Sequence, residues 1–370
     1  MPEFKACFEL VIEYSVLFYS LLDIVKILVF EYITGGGFNK QALPDSLAVE
    51  GRLMLDALLN NLLRLKQLEI WLMLDQRLSD SVGKSGINTV IIKPEHDVDE
   101  EFARCVWESD LVWPIAPEFD GILLKLCRTV ETLGKLLLNS PASAVAIAGN
   151  KYKTYQLLDR HHIAAVPTRM LASFDYTQES LAERTCLEPF GYAQESLVEG
   201  WMVKPIDGAG CADSYVISNR QDFEQMATRT GEYIIQPHLL GAKTSLSCLF
   251  GQGRGWLVCA NLQRFELINR QYRLTDIVVN HQPDPGRYRS VIDQIAHALP
   301  ELWGYVGIDL IETAEQCWVL EINPRLTTSF TGIFDALGIN IAEAVLQLLD
   351  GEPELNPTCN QAVIIQTHEN

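Results

Sequence analysis

The chain has 370 residues, 48% of them hydrophobic, enough for a large core spread over two or three domains or subdomains. Charged residues make up 21% and the formal net charge is -19, which excludes general nucleic-acid binding because nothing offsets repulsion from phosphates. A nucleotide could still be held locally, where a metal ion and a few Lys or Arg residues set the field. The nine cysteines are scattered without a CxxC pair, which speaks against a zinc ribbon or disulfide framework and for reduced thiols in a cytoplasmic protein.

The first residues, "FELVIEYSVLFYSLLDIVKILVF", are greasy but interrupted by Glu9, Glu13, Asp23 and Lys26. The longest uncharged run, Tyr14 to Leu22, falls far short of the roughly 18–20 residues that span a bilayer. No basic n-region or cleavage site marks a secretory signal. Two readings stand: an added amphipathic helix, or an extension (1–25) with the functional fold beginning near Lys26. "KILVFEY" then reads as a buried parallel strand, stopped by the glycine loop "ITGGGF". "SLAVEGRLMLDALLNNLLRL" has helical spacing, and "LEIWLMLD", "NTVIIKP" and "ESDLVWPIAP" read as further strands. This alternation predicts an open α/β layer that ends near Ser140.

"PASAVAIAGNKYKTYQLLDRHHIAAVPT" gives a helix, a basic cluster, a second helix and a Pro exit. From "WMVKPIDGAGC" to "EYIIQPHLLGAKTSLSCLF" strands alternate with glycine turns. "NIAEAVLQLLDG" closes the pattern as an amphipathic helix with a C-terminal glycine.

The richest stretch is "GYVGIDLIETAEQCWVLEINPRLTTSF", Gly304 to Phe330. It predicts a hairpin whose turn is "ETAEQ". Glu321 and Asn323 lie two residues apart on one strand and share a face. Counting back through the turn sets Asp309 nearly opposite Glu321. Three oxygen ligands, two of them anionic, suit magnesium or manganese, with phosphates and water completing the shell. Arg325 follows on the same side, as a planar cation suited to a phosphate or acyl-phosphate oxygen. A single carboxylate near a turn is ordinarily just a solvated strand end. Three converging side chains with no structural need are not, because burying two unpaired carboxylates is costly.

Lys204 ends the strand in "VKPIDGAGC" and leads into a glycine loop, a weak phosphate signal by itself. Lys151 opens a helix beside Lys153, which reads as solvated. Arg264, in "CANLQRFEL", reads equally as a catalytic cation or as a surface arginine paired with an acid. His161, His162, His238 and His281 show no zinc or nucleophile spacing, and no GxSxG motif is present.

In order and spacing, "GNKYKTYQLLDRHHIAAVPT", "MVKPIDGAG", "YIIQPHLLGAKTSLS" and "GIDLIE…WVLEINPRLTTS" resemble the ATP-grasp ligases, over about Ser140 to Gly351. The resemblance implies an α/β fold: an N-terminal Rossmann-like pre-ATP-grasp domain (26–140) followed by an ATP-grasp module of two α+β subdomains (141–370, with a lid at about 165–240). It also implies site roles. Lys151 and Lys204 would contact ATP phosphates, with Lys204 also near adenine. The loop Asp207, Gly208, Ala209, Gly210, Cys211 would close over the phosphates. Gln236, Pro237, His238 and Leu239 would hold adenine. Asp309, Glu321 and Asn323 would bind two ions, Mg2+ or Mn2+, and Arg325 would steady the acyl phosphate. The hinge departs from the family pattern, since a Glu is common where Gln236-Pro237-His238 stands, and Ala242 and Lys243 replace the ribose acid.

"KILVFEYITGGG", "VWPIAPEFDGILL" and "EINPRLTTSF" look more narrowly like the tyramine–glutamate ligase group, which acts in methanofuran-type one-carbon cofactor synthesis. That likeness implies joining the γ-carboxylate of glutamate to an aromatic amine such as tyramine or tyrosine. The partners implied are small-molecule acid and amine substrates, with no nucleic acid and no membrane, and a homodimer is the frequent family assembly. Glu118, in "IAPEFDG", matches the family text, and its expected part is to cap a loop near the ATP site. The alternatives are another ATP-grasp enzyme, of carbamoyl-phosphate or amino-acid ligase type, and a non-catalytic nucleotide-binding regulator.

Overall fold

The computed structural model describes residues 24–81, 85–174, 198–208, 213–282 and 285–367. The N-terminal segment, where an added helix was one reading, lies outside the described residues. The first layer is a five-stranded parallel sheet. Its strands are β1 (Val25–Glu31), β2 (Leu68–Asp75), β3 (Ile87–Ile92), β4 (Leu111–Ile115) and β5 (Leu136–Leu137), in the order β3-β2-β1-β4-β5. β1 is a near-continuous apolar run because helices cover both of its faces. Ile27 and Val29 pack with Leu55, Leu58, Leu59 and Leu62 of helix α1 (Asp45–Leu62). Leu28 and Phe30 face α2 (Val98–Trp107) and α3 (Ile122–Thr132). Asp97 caps α2, its side chain accepting from Asp99 N and Glu100 N.

Strand order reverses at β1 and β4, so a crevice opens beyond their C-terminal ends. Glu31 ends β1 there, and its buried carboxylate accepts from Ile33 N, Thr34 N and Thr34 Oγ1. The glycine turn wraps this acid. A Cβ on Gly35 would stand 2.6 Å from the Phe30 ring, so the glycine there permits close packing rather than an open anion loop.

Helices α4 (Ala142–Ala148) and α5 (Lys151–Arg160) lead into a small antiparallel sheet. It comprises β6 (Arg169–Met170), β7 (Val198–Pro205), β8 (Tyr215–Ile217) and β9 (Tyr233–Leu239), in the order β6-β9-β7-β8, with α6 (Arg220–Ala227) beside it. The larger antiparallel sheet has six strands: β10 (Ala242–Gly251), β11 (Arg254–Ile268), β12 (Gln271–Val279), β13 (Gly304–Glu312), β14 (Cys317–Asn323) and β15 (Val363–Gln366). Their order is β14-β13-β10-β11-β12-β15. Helix α7 (Arg289–Ala298) covers one face, with Ile292 and Ile295 packing on Leu246, Cys248 and Phe250. The outer edge of β14 is occupied by the chain after α5, through Val166 N to Val319 O and Val319 N to Ala164 O, both 2.9 Å.

The expected terminal helix comprises α9 (Ile341–Gln347), preceded by α8 (Ile333–Leu337) and capped by the Asn340 side chain. Strand β15, which carries no sequence pattern strong enough to announce it, follows. Among the described residues no single helix is long and apolar enough to cross a membrane, and the six described cysteines are free thiols.

The first layer and the large sheet share one core, in which α1 packs on α9. Asn61 fixes that contact. Its Nδ2 donates to Ala57 O at 2.9 Å, its Oδ1 accepts from Ile341 N at 3.0 Å, and Asn340 Nδ2 donates to its backbone oxygen. Asn61→Ala would leave the Ile341 N–H buried without an acceptor. The expected loss is about 1–3 kcal/mol of unfolding free energy, read by urea denaturation. A variant as stable as the parent would show that the clamp carries no weight.

Candidate active site

The hairpin of β13 and β14 forms as its sequence predicts, with Asp309 paired to Glu321 and Gly307 to Asn323. A bulge next to Asp309 inserts Leu320 as an extra residue on β14, turning both Leu320 and Glu321 toward one cavity. Gly307 sits where a Cβ would meet the Thr327 methyl at 2.5 Å, so the chain after β14 can fold tightly back across β13. Asn323 Nδ2 donates to Asp309 Oδ2 at 3.0 Å, and Gln263 Nε2 donates to Asp309 Oδ1 at 3.1 Å. With its nitrogen so committed, Asn323 keeps Oδ1 for a cation. Among the described residues no three His, Cys, Asp or Glu side chains cluster as a metal cage. The oxygen set here is two carboxylates and an amide, which fits a hard cation that retains water and phosphate ligands.

Lys151 reaches the same point from the start of α5. Its side chain is only 9% exposed, and Nζ lies 3.3 Å from Glu321 Oε2 and 2.5 Å from Gly208 O. Asn150 caps α5 by accepting from Lys153 N, which leaves Lys153 exposed in the first turn. Lys204, at the end of β7, lines the cavity beside it. Burial raises the pKa of both hairpin carboxyls. At Glu321 it is outweighed by Lys151 and Lys204, which hold this carboxyl below its ordinary range. At Asp309 burial is reinforced by the Glu321 charge, and the carboxyl is pushed up to about 8. Double ionisation of the pair is thereby disfavoured, with Asp309 the carboxyl driven toward its neutral form.

Gln236, Pro237, His238 and Leu239, on β9, all line the cavity, together with Met202 and Leu320. Thr168 Oγ1 donates to Val166 O, so it must accept from Gln236 Nε2, at 2.8 Å. That orients the amide and leaves Gln236 Oε1 as a buried acceptor without a donor. An orphaned acceptor in this wall fits a ligand bearing an N–H donor, as a purine amine does. His238 Nε2 is paired with Tyr272 OH at 2.8 Å.

Arg325 lines the cavity, but its guanidinium is tied from behind. Nε and Nη2 donate to Glu118 Oε1 and Oε2 at 2.8 and 2.9 Å, and the two side chains are 12% and 7% exposed. Burial works against the Arg325 charge, yet Glu118 outweighs it and raises the pKa. Glu118 thus has a definite partner, 207 residues away in sequence, where only a loop cap was expected.

Arg264 departs from its expected catalytic place. It is half-exposed and bonds to Asp276 at 3.2 Å, and it does not line the cavity. Side chains alternate along β11, so its neighbours Gln263 and Phe265 face inward. The sequence reading missed Gln263, which the same alternation would have revealed once the register of β11 was known. Asp207 stands outside the cavity and accepts from Asp120 N at 3.1 Å, while Gly208 lines it. Ala209, Gly210 and Cys211 lie outside the described residues. Glu50, from α1, was also missed. It lines the cavity and accepts from Thr328 Oγ1 at 3.1 Å.

A parallel sheet feeding two antiparallel sheets, with lysines and a carboxylate–amide set between them, defines a class. Residues 68–145 match the pre-ATP-grasp 3 domain and residues 148–329 the ATP-grasp domain. The chain belongs to the ATP-grasp proteins, as a pre-ATP-grasp domain followed by an ATP-grasp domain. It is 23% identical over 321 residues to the tyramine–L-glutamate ligase of Methanocaldococcus jannaschii, covering 86% of this chain and 88% of that one. Among solved structures, an ATP-grasp superfamily protein from Archaeoglobus fulgidus aligns with a TM-score of 0.66 at 21% identity, covering 92% of both chains. The biotin carboxylase domain dimer of Hydrogenobacter thermophilus 2-oxoglutarate carboxylase, in complex with MgADP, ADP and bicarbonate, aligns with a TM-score of 0.63 at 12% identity. That alignment covers 92% of this chain and 72% of that one.

The Asp309 shift has a measurable consequence. In metal-free protein the native state holds a proton on Asp309 up to about pH 8, whereas the unfolded carboxyl releases it near 3.8. The contribution to stability is fully present below pH 3.8 and lost as pH rises through about 8. Asp309→Asn is expected to flatten this slope in urea unfolding with chelator between pH 5 and 8. An unchanged slope would assign the proton elsewhere.

Proposed function

We propose that the chain is an ATP-dependent carboxylate–amine ligase that makes an amide through an acyl phosphate. The γ-carboxylate of glutamate and tyramine, or a related aromatic amine, are the substrates this reading favours, in methanofuran-type cofactor synthesis. The observation that carries it is the convergence of Lys151, Lys204, Asp309, Glu321, Asn323 and Arg325 on one cavity. The likeness to tyramine–L-glutamate ligase over most of both chains supports the choice of substrates.

The roles follow from charge and position. Lys151 and Lys204 would hold the ATP phosphates, and the wall from Gln236 to Leu239 would receive the base. Asp309, Glu321 and the Asn323 carbonyl would hold magnesium or manganese, which supplies charge neutralisation on the phosphoryl oxygens when bound. The acid's carboxylate oxygen attacks the γ-phosphorus, the bond to the bridging oxygen breaks, and ADP leaves. Arg325, held by Glu118, then faces the new acyl phosphate with a fixed planar cation. The amine, once its ammonium form has given up a proton, forms the C–N bond through the freed lone pair, the C–O bond to phosphate breaks, and the nitrogen's second surplus proton is released. Enclosure between the sheets limits attack by water.

Mass spectrometry of the purified protein with ATP, magnesium, glutamate and tyramine or tyrosine is expected to reveal a glutamyl-amine together with ADP and phosphate. Glu321→Ala should lower ADP release by at least about 100-fold with an unchanged far-UV spectrum. Full turnover in that variant would remove the role given to the hairpin. ATP binding with no turnover on any acid and amine would favour a regulatory protein.

A further inference from the structure

A second space opens directly off the cavity. It is a groove of about 1350 Å3 between the first turns of α1 and the strands β11 and β12. The two spaces share Glu50, Tyr272 and Leu274 in their linings, so these residues form a neck between them. Leu47, Glu50 and Leu53 lie three residues apart in a row along one side of α1, and all three line the groove. Leu274 and Tyr272 face them from β12.

The polarity of this neck is uneven. On the cavity side stand four cationic side chains, Lys151, Lys204, Lys243 and Arg325. On the groove side the half-buried Leu47, Leu53 and Leu274 stand next to the neck, while the exposed Asp45 and Arg273, and Arg52 paired to Asp56, lie on the same lining. Glu50 sits where the two meet. Thr328 Oγ1 donates to its Oε2, and Thr328 stands three residues after Arg325, on the loop that lines the cavity. The carboxylate is therefore anchored at the reacting end of the groove.

Resting on the ligase reading, we propose that this groove is the acceptor subsite: it takes an aryl-alkyl primary amine, with Glu50 receiving the cationic nitrogen and Leu47, Leu53, Leu274 and Tyr272 holding the ring. A charge-assisted hydrogen bond from ammonium to carboxylate fixes the nitrogen. The apolar walls reward a flat hydrophobic tail. An acidic acceptor would meet Glu50 as a like charge, and a cation advancing past it would meet Lys151, Lys204 and Arg325. The amine is thus stopped at the neck, facing the place where the activated acid forms. Glu50 is a binding and specificity residue for the second half-reaction.

The test uses the full chain and two variants, Glu50→Gln and Leu47→Lys. Calorimetric titration with tyramine, in the presence of a non-hydrolysable ATP analogue and magnesium, reports on the groove whether or not turnover occurs. Binding weakened about tenfold or more in both variants, with the affinity for the analogue retained, is the expected result. Equal binding in the variants, or none to the parent chain, overturns the assignment. In turnover, the tyramine KM is expected to rise in Glu50→Gln with little change in the ATP KM. The reaction of hydroxylamine, a small neutral nucleophile, with activated glutamate should fall less than the tyramine reaction. Equal loss of both would place Glu50 with the acid and overturn the assignment. Hydroxamate missing from the parent chain, with tyramine still bound, would count against the ligase reading and leave the groove standing.

Discussion

The cavity depends on one ion pair that crosses from the first domain to the second. Arg325 follows directly on the β13–β14 hairpin, and Glu118 follows β4 at the reversal point of the parallel sheet. Each would be costly to bury alone, and removing one partner of such a pair typically destabilises by about 3–5 kcal/mol. Neither side chain can be satisfied unless the two domains pack as they do. The bidentate bond therefore fixes a distance and an orientation as well as a contact, and presents the guanidinium to the cavity in a fixed plane.

The rest of the cavity obeys the same accounting of buried charge. Asp309 and Glu321 face each other across two strands, and both cannot be ionised cheaply out of water. Lys151 and Lys204 stabilise one charge, and a proton on Asp309 removes the other. On the proposed ligase reading, a divalent cation held by Asp309, Glu321 and Asn323 would supply the positive charge that the proton supplies here. Gln263 and Asn323 hold Asp309 in place from either side.

A buried hydroxyl network lies beneath these charges. Tyr305 OH donates to Ser247 Oγ at 2.8 Å and meets Thr327 Oγ1 at 3.1 Å, and Ser329 joins Thr327 at 2.9 Å. Asn261 Nδ2 donates to Ser247 Oγ at 3.1 Å. Satisfied networks of this kind rigidify a core. Here they set the loop of Thr327, Thr328 and Ser329 against β10, and that loop carries the hydroxyl that anchors Glu50. The positions of Asp309, Glu321 and Asn323, of Arg325 and of the groove neck thus depend on one another through β10, β13 and the loop.

The sequence by itself determined the local facts. Apolar runs and helical spacing foretold the alternating first layer. A period of two within a short hairpin was enough to oppose Asp309 to Glu321 and to align Asn323, because strand geometry fixes which side chains share a face. Lys151 and Lys204 carried weight only through their place relative to the hairpin, and the stretch from Gln236 to Leu239 was singled out by the resemblance to the ATP-grasp ligases. Partners far apart in the chain could not be read. Glu118 and Arg325 meet because two domains pack, Glu50 faces the cavity because α1 leans on the loop after β14, and Gln263 rather than Arg264 points inward because the sheet decides which face of β11 is covered. Those are properties of packing between elements, and no local period encodes them.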